Sequence, residues 1–182
     1  MQLQITDHAK SISVGGKTFA TLSRREAEAY VLAAPHILIS VVSAYEAFPD
    51  FVSQASRMAV LRLAIDDFHD DHRVIPIEEL ALNGVPAIFF EESHAQQIDA
   101  FVREHIAQVD FVISHCAGGQ SRSAAISLAL AEWYGGKSLP EVPYMSGHNP
   151  LVYKTLKAQL TKPGSWQSLD GTDFPSRTRF HS

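Results

Sequence analysis

Short apolar runs alternate along this chain with longer stretches in which apolar residues recur at helical spacing, the pattern of strands interleaved with helices. Residues 2 to 6 and 11 to 14 read as short edge strands broken by Gly15-Gly16. Ser23-Arg24-Arg25-Glu26 is a capping box and predicts a helix to about Leu32, which Pro35 ends. The run His36 to Ser43 predicts a strand, and Met58 to Ile65 a second one. Between them residues 44 to 56 are irregular, with Tyr45, Phe48 and Phe51 expected over the sheet edge. Pro76 to Phe90 is ambiguous apart from the turn signal Asn83-Gly84. Glu92 to Gln108 is amphipathic, with Ile98, Phe101, Val102 and Ile106 on one face, and Ser93 with Gln96 reads as its capping box.

Asp110-Phe111-Val112-Ile113 is a further strand, followed by a glycine-containing loop and a helix from Ser123 to Tyr134. That helix is apolar nearly all round, so it should run buried through the centre of the domain, stopped by Gly135-Gly136. Asn149 as N-cap and Pro150 at the first helical position open a last helix, with Leu151, Tyr153, Leu156 and Leu160 turned inward. The order predicts a single α/β domain over residues 1–161, a central, mostly parallel sheet flanked by helices. Residues 162–182, rich in Pro, Gly, Ser and Asp, read as an extended or mobile tail.

The chemistry concentrates in the loop after the strand at 110. Cys116, the only cysteine, opens the run Ala117-Gly118-Gly119-Gln120-Ser121-Arg122 at a helix N-terminus. Successive backbone N–H groups from Ala117 to Arg122 curl around an anion there, where the partial positive charge of the helix is largest. Gly118 and Gly119 are expected to supply the positive φ angles of such a nest. Arg122 offers a planar fork matched to two phosphate oxygens. The field that binds phosphate also lowers the thiol pKa, making Cys116 a thiolate near neutral pH. A buried structural cysteine in a strand-to-helix turn would not need an arginine at the helix start.

The run His115-Cys116-x-x-Gly-x-x-Arg122-Ser123 resembles the signature loop of the cysteine-dependent protein tyrosine phosphatases, and the compact chain is similar to bacterial members of the dual-specificity branch. The likeness extends over roughly residues 12 to 161. His36 to Val41 resembles the strand before the acid loop, Leu63-Ala64-Ile65-Asp66-Asp67 the acid loop, and Asn149-Pro150 the start of the C-terminal helix. The resemblance implies a phosphomonoester hydrolase working through a phosphocysteine intermediate, without cofactor or metal. Cys116 is then the nucleophile, Arg122 and the loop amides from Ala117 to Ser121 bind phosphate, and Ser123 stabilises the thiolate as the intermediate breaks down. A carboxylic acid must protonate the leaving oxygen. The family pattern places it at Asp67, with Asp66 the alternative; Asp70 and Asp71 read as a solvated acidic turn. His115 is expected to be buried and hydrogen-bonded rather than a general base.

Other readings remain: a phosphate-binding module with little turnover, or other Cys-x5-Arg chemistry such as rhodanese-like sulfur transfer or arsenate reduction, the last of which usually requires further cysteines. A divalent-metal site at the acidic turn lacks a second carboxylate cluster. Ala117, Gly118 and Gln120 carry no charge, which disfavours highly anionic substrates. A shallow cleft would admit phosphoserine and phosphothreonine as well as phosphotyrosine, so the expected partners are a phosphorylated protein or a small phosphomonoester, with phosphate or sulfate at the loop.

Composition narrows the setting. The chain has 182 residues, 46% of them apolar, enough for a full core. A formal net charge of −5 argues against nucleic acid and anionic membranes as partners. No apolar run reaches membrane-span length, the first residues lack signal-peptide character, and a catalytic thiol survives best in a reducing compartment. A cytoplasmic location is therefore expected. The nine histidines are scattered without zinc-ligand spacing.

Overall fold

The two glycines at 15 and 16 are the turn of a hairpin rather than the end of a strand. Both have positive φ, 56° and 78°, as a two-residue turn matched to strand twist requires. They join β1 (Lys10–Val14) to an antiparallel β2 (Lys17–Ser23), a strand the apolar pattern had not marked. The computed structural model describes residues 10–69, 84–139 and 147–162. The expected strand at 2 to 6, Asn83 of the turn signal, Asp70, Asp71 and all of the tail after Lys162 lie outside these residues.

The capping box at Ser23 forms as expected. Glu26 N–H donates to Ser23 Oγ at 3.3 Å, and Ser23 N–H donates to Glu26 Oε2 at 2.6 Å. The helix it opens, α1 (Arg24–Ala29), stops short of Leu32 because Tyr30 is already extended and fully buried. Next come β3 (His36–Val42), β4 (Arg57–Ala64), α2 (Glu92–His105) with a 3-10 turn at Ile106–Gln108, β5 (Phe111–Cys116), α3 (Arg122–Gly135) and α4 (Pro150–Leu160). Ser93 lies inside α2 rather than capping it. Glu91 precedes the helix, and its N–H donates to His94 Nδ1 at 3.1 Å.

The sheet order is β1-β2-β5-β3-β4, parallel throughout except for the β1–β2 hairpin. The architecture is therefore α/β with a five-stranded, mostly parallel sheet flanked by helices. β3 is buried at every position, as a strand covered on both faces should be. One face meets α1 through Ala20, Leu22, Ala27, Tyr30, Leu38 and Ile113. The other carries the larger core, where Phe19, Ile37, Ile39 and Val112 pack under α2, α3 and α4. α3 is buried continuously from Arg122 to Glu132, and Gly136 caps it with φ 66°. On α4 the buried positions are Val152, Leu156 and Leu160, whereas Leu151 and Tyr153 are half-buried at its flanks. Tyr45 and Phe48 are exposed, and only Phe51 of the expected trio packs on the sheet.

β2, β3, β4 and β5 all end at the same edge, so the segments following β3, β4 and β5 meet beyond their carboxyl ends. That edge is where an open α/β sheet places its ligand.

Candidate active site

Cys116 closes β5, pairs in register with Ser23 at the end of β2, and is buried. The loop after it folds back beneath β2. Ala117 C=O accepts from Arg24 N–H at 3.2 Å, tying the loop to the start of α1. Gly119 alone of the two loop glycines has a positive φ, 67°. A Cβ there would come within 2.6 Å of the backbone at Leu22 and Ser23. Gly118 has an ordinary φ and open space around it, so the expectation of two left-handed glycines is corrected to one. A single reversal turns this loop, and the close approach to β2 falls on that same residue. Ala117, Gly118 and Gln120 are exposed at the lip, while Gly119 faces inward.

The thiol sits in a line of hydroxyls. Ser123 Oγ lies 3.1 Å from Cys116 Sγ and accepts from Thr21 Oγ1 at 2.6 Å. With Thr21 donating to it, the Ser123 hydroxyl has its own proton for the sulfur. Thr21 Oγ1 also lies 3.2 Å from Gly119 C=O, so it touches both the loop and Ser123. Burial by itself would raise the Cys116 pKa. Hydrogen bonds from the Ser123 hydroxyl and backbone, the Arg122 charge and the Ser121 backbone outweigh it, and the thiol lies below its ordinary value.

His115 points away from this line. Its Nε2 is 2.8 Å from Ser40 Oγ on β3, and its ring meets Phe51 edge-on. Burial pushes its pKa down to about 4, so it is neutral at physiological pH. It lies within the sheet as a packed, hydrogen-bonded residue.

Arg122 is the first residue of α3 and only 3% exposed. Its Nη1 donates to Ile65 C=O at 2.5 Å and to Ser43 Oγ at 3.3 Å, residues just past the ends of β4 and β3. Its Nε is buried with no hydrogen-bond partner among the described residues, and the Asp67 Oδ2 atom lies 3.8 Å from it. One edge of the guanidinium is thus anchored on the protein, which leaves an N–H donor in the site for an anion to engage.

The two adjacent aspartates have different surroundings. Asp66 is 4% exposed, and both of its oxygens accept backbone N–H groups: Oδ1 from Ala44 at 3.2 Å, Oδ2 from Ile88 at 2.8 Å. Its backbone N–H donates to Ile88 C=O at 2.8 Å. Asp66 therefore pins the segment after β4 to its neighbours. The Asp67 side chain is 36% exposed and faces the loop. Its Oδ1 accepts from Ser121 Oγ at 2.7 Å and from Asn149 Nδ2 at 2.8 Å, with His69 Nε2 at 3.7 Å. Asp67, from the segment after β4, stands with Cys116, Ser121, Arg122 and Ser123 of the loop at one edge of the sheet. Thr21 and Ser43 join them from segments whose local sequence carries no chemical signature, together with the Ile65 carbonyl and the N-cap Asn149.

Among the described residues no group of three or more His, Cys, Asp or Glu side chains is arranged to hold a metal ion, and no helix is long and apolar enough to cross a membrane. No protein-family model and no curated protein matches the chain. Among solved structures, the crystal structure of Tk-PTP in the active form is similar over 85% of this chain and 97% of that chain, with 18% sequence identity and a TM-score of 0.48.

Proposed function

We propose that this protein is a cysteine-dependent phosphomonoester hydrolase acting on phosphorylated protein side chains or small aryl phosphates. The observation that carries the reading is the convergence at one helix N-terminus of a thiol of lowered pKa, a buried arginine whose Nε has no hydrogen-bond partner among the described residues, and the carboxylate facing it at 3.8 Å.

The phosphoryl group lies in the curl of amides from Ala117 to Arg122, with Arg122 fixing two of its oxygens. The Cys116 thiolate attacks phosphorus, the Sγ–P bond forms and the ester P–O bond breaks. The electron pair on the departing oxygen takes the proton of Asp67. Water then attacks the phosphocysteine and loses its proton to the Asp67 carboxylate. The S–P bond breaks, its electron pair returns to sulfur, and inorganic phosphate leaves. Ser123, itself supplied with a hydrogen bond by Thr21, donates to the sulfur as that charge returns. Asp66 takes no part, because its oxygens are engaged by backbone amides. His115 is no base, since its titration lies near 4 and its Nε2 faces Ser40. The exposed lip of Ala117, Gly118 and Gln120 is uncharged, which favours singly phosphorylated substrates over polyphosphorylated ones.

The test is hydrolysis of an aryl phosphate by wild type, Cys116→Ser and Asp67→Asn side by side. Cys116→Ser should abolish turnover while still binding inorganic phosphate. Asp67→Asn should cost roughly 10²- to 10⁴-fold with a phenol leaving group and much less with an activated one, and should flatten the basic limb of the pH–rate profile. Near-wild-type turnover by Cys116→Ser removes the proposal.

A further inference from the structure

Four hydroxyls lie together in the core between β2, β5 and α3. Thr21 on β2 and Ser114 on β5 are neighbours in register, Ser123 and Ser127 are one turn apart on α3, and none of the four is more than 2% exposed. Polar groups buried this far must be paired, and each hydroxyl has one proton to give, so the donors can be counted. Ser114 Oγ donates to Ser123 C=O at 2.9 Å. The proton in the 2.6 Å contact between Ser114 and Ser127 then belongs to Ser127, whose Oγ also lies 3.1 Å from Ala20 C=O. Ser123 is thereby held at its carbonyl, and what remains to be set is the direction of its hydroxyl proton.

Two acceptors compete for that proton, Cys116 Sγ at 3.1 Å and Thr21 Oγ1 at 2.6 Å. Thr21 in turn has two acceptors, Ser123 Oγ at 2.6 Å and Gly119 C=O at 3.2 Å. The shorter contact takes the Thr21 proton, and Ser123 is then left with sulfur as the acceptor for its own. Were the Thr21 proton on Gly119 C=O, Ser123 would donate to Thr21 and the sulfur would receive nothing. A hydroxyl that donates to an anion is a charge-assisted donor, and one that also receives a hydrogen bond is a stronger one. We propose that Thr21 is a positioning residue for the thiolate: by donating to Ser123 Oγ it turns the Ser123 proton onto Cys116 Sγ. The inference deepens the proposed function, in which that sulfur is first the nucleophile and then the leaving group. Among the described residues the charged group acting on the sulfur is Arg122. The Asp67 carboxylate faces that same guanidinium, the His115 imidazole turns to Ser40, and none of the three is altered in the variants below.

Cys116 is the only cysteine, so the rate of alkylation by iodoacetamide against pH reads this thiol alone and needs no turnover. Thr21→Val keeps the side-chain shape and removes the hydroxyl, whereas Thr21→Ser keeps the hydroxyl. Ser123→Ala removes the group through which Thr21 acts. Ser127→Ala removes a hydroxyl of the same cluster whose contacts are Ser114 and the Ala20 carbonyl. Without Thr21 the buried Ser123 oxygen accepts from the neutral thiol instead. The alkylation midpoint of Thr21→Val should therefore rise by about half a unit to one unit, the size of one hydrogen bond. The acidic limb of the pH–rate profile on 2,4-dinitrophenyl phosphate should move with it. Thr21→Ser and Ser127→Ala should stay near wild type, and Thr21→Val should add nothing in Ser123→Ala protein. If Thr21→Val leaves the midpoint unmoved, shifts it as far in Ser123→Ala protein, or is matched by Ser127→Ala, Thr21 only packs and the proposal falls. If the alkylation series runs as expected in a protein that hydrolyses no phosphomonoester, the proposed function falls and the role of Thr21 towards the thiolate stands.

Discussion

At the scale of single residues, Asp66 and Asp67 show how one peptide step separates a carboxylate held by backbone amides from one that faces the loop after β5. Asp66 accepts backbone N–H groups on both oxygens; replacing it with asparagine turns one acceptor into an NH2 group facing an N–H donor. A buried donor left without an acceptor costs about 1–3 kcal/mol. Asp66→Asn should therefore lower the free energy of unfolding by that order, read from a denaturant titration, and leave the bell shape of the pH–rate profile intact. A flattened basic limb in a stably folded Asp66→Asn protein would transfer the proton donor to Asp66. The family resemblance placed the proton donor at Asp67, and under the proposed function the side-chain surroundings favour it by a separate argument. Asn149 was recognisable in the sequence as a cap. Its hydrogen bond to Asp67 was not, because a contact between positions 67 and 149 leaves no trace in local spacing.

At the scale of elements, the loop from Cys116 to Arg122 was legible because everything that defines it lies within one strand-to-helix turn. Residues that act on it from other strands were not. Thr21 sits on β2, whose sequence Lys-Thr-Phe-Ala-Thr-Leu-Ser shows a buried stretch without clean alternation, and two preceding glycines read as an end rather than a hairpin. The cap of α2 was misplaced by two residues for a related reason. Ser93 and Gln96 fit a local rule, but the buried Phe90 and the bond from Glu91 to His94 fix where the helix starts. The glycines of the loop give the sharpest test at this scale. Gly119→Ala must strain a φ of 67° and push the Leu22–Ser23 backbone, so unfolding measurements should show a loss of about 2 kcal/mol or more. Gly118→Ala meets open space at an ordinary φ and should stay within about 0.5 kcal/mol of wild type. Equal losses would mean that the loop does not lean on β2 as described.

At the scale of the whole molecule, His115 links stability to acid. Its imidazole is neutral in the fold, with a pKa near 4, whereas an unfolded chain protonates it around 6.5. Below about pH 6.5 the unfolded state binds the extra proton, so the contribution is complete above that pH and is lost as pH falls towards 4, about 3 kcal/mol across the interval. His36 and His94, lowered mainly by burial, act in the same sense. The melting temperature should fall between pH 6.5 and 4, and His115→Gln, which has no such titration, should fall less steeply. Parallel curves would locate the acid sensitivity elsewhere. The continuous burial of α3 has a further consequence. Arg122 and Ser123 are the first turn of the helix that fills the centre of the core, so the loop from Ala117 to Ser121 has no hinge of its own on that side. It cannot open while the core stays closed. The helix amides from Ala125 onward, whose first bond runs to Ser121 C=O at 3.0 Å, should then exchange only through global opening, so that the ordered loop and the fold are lost in one cooperative event.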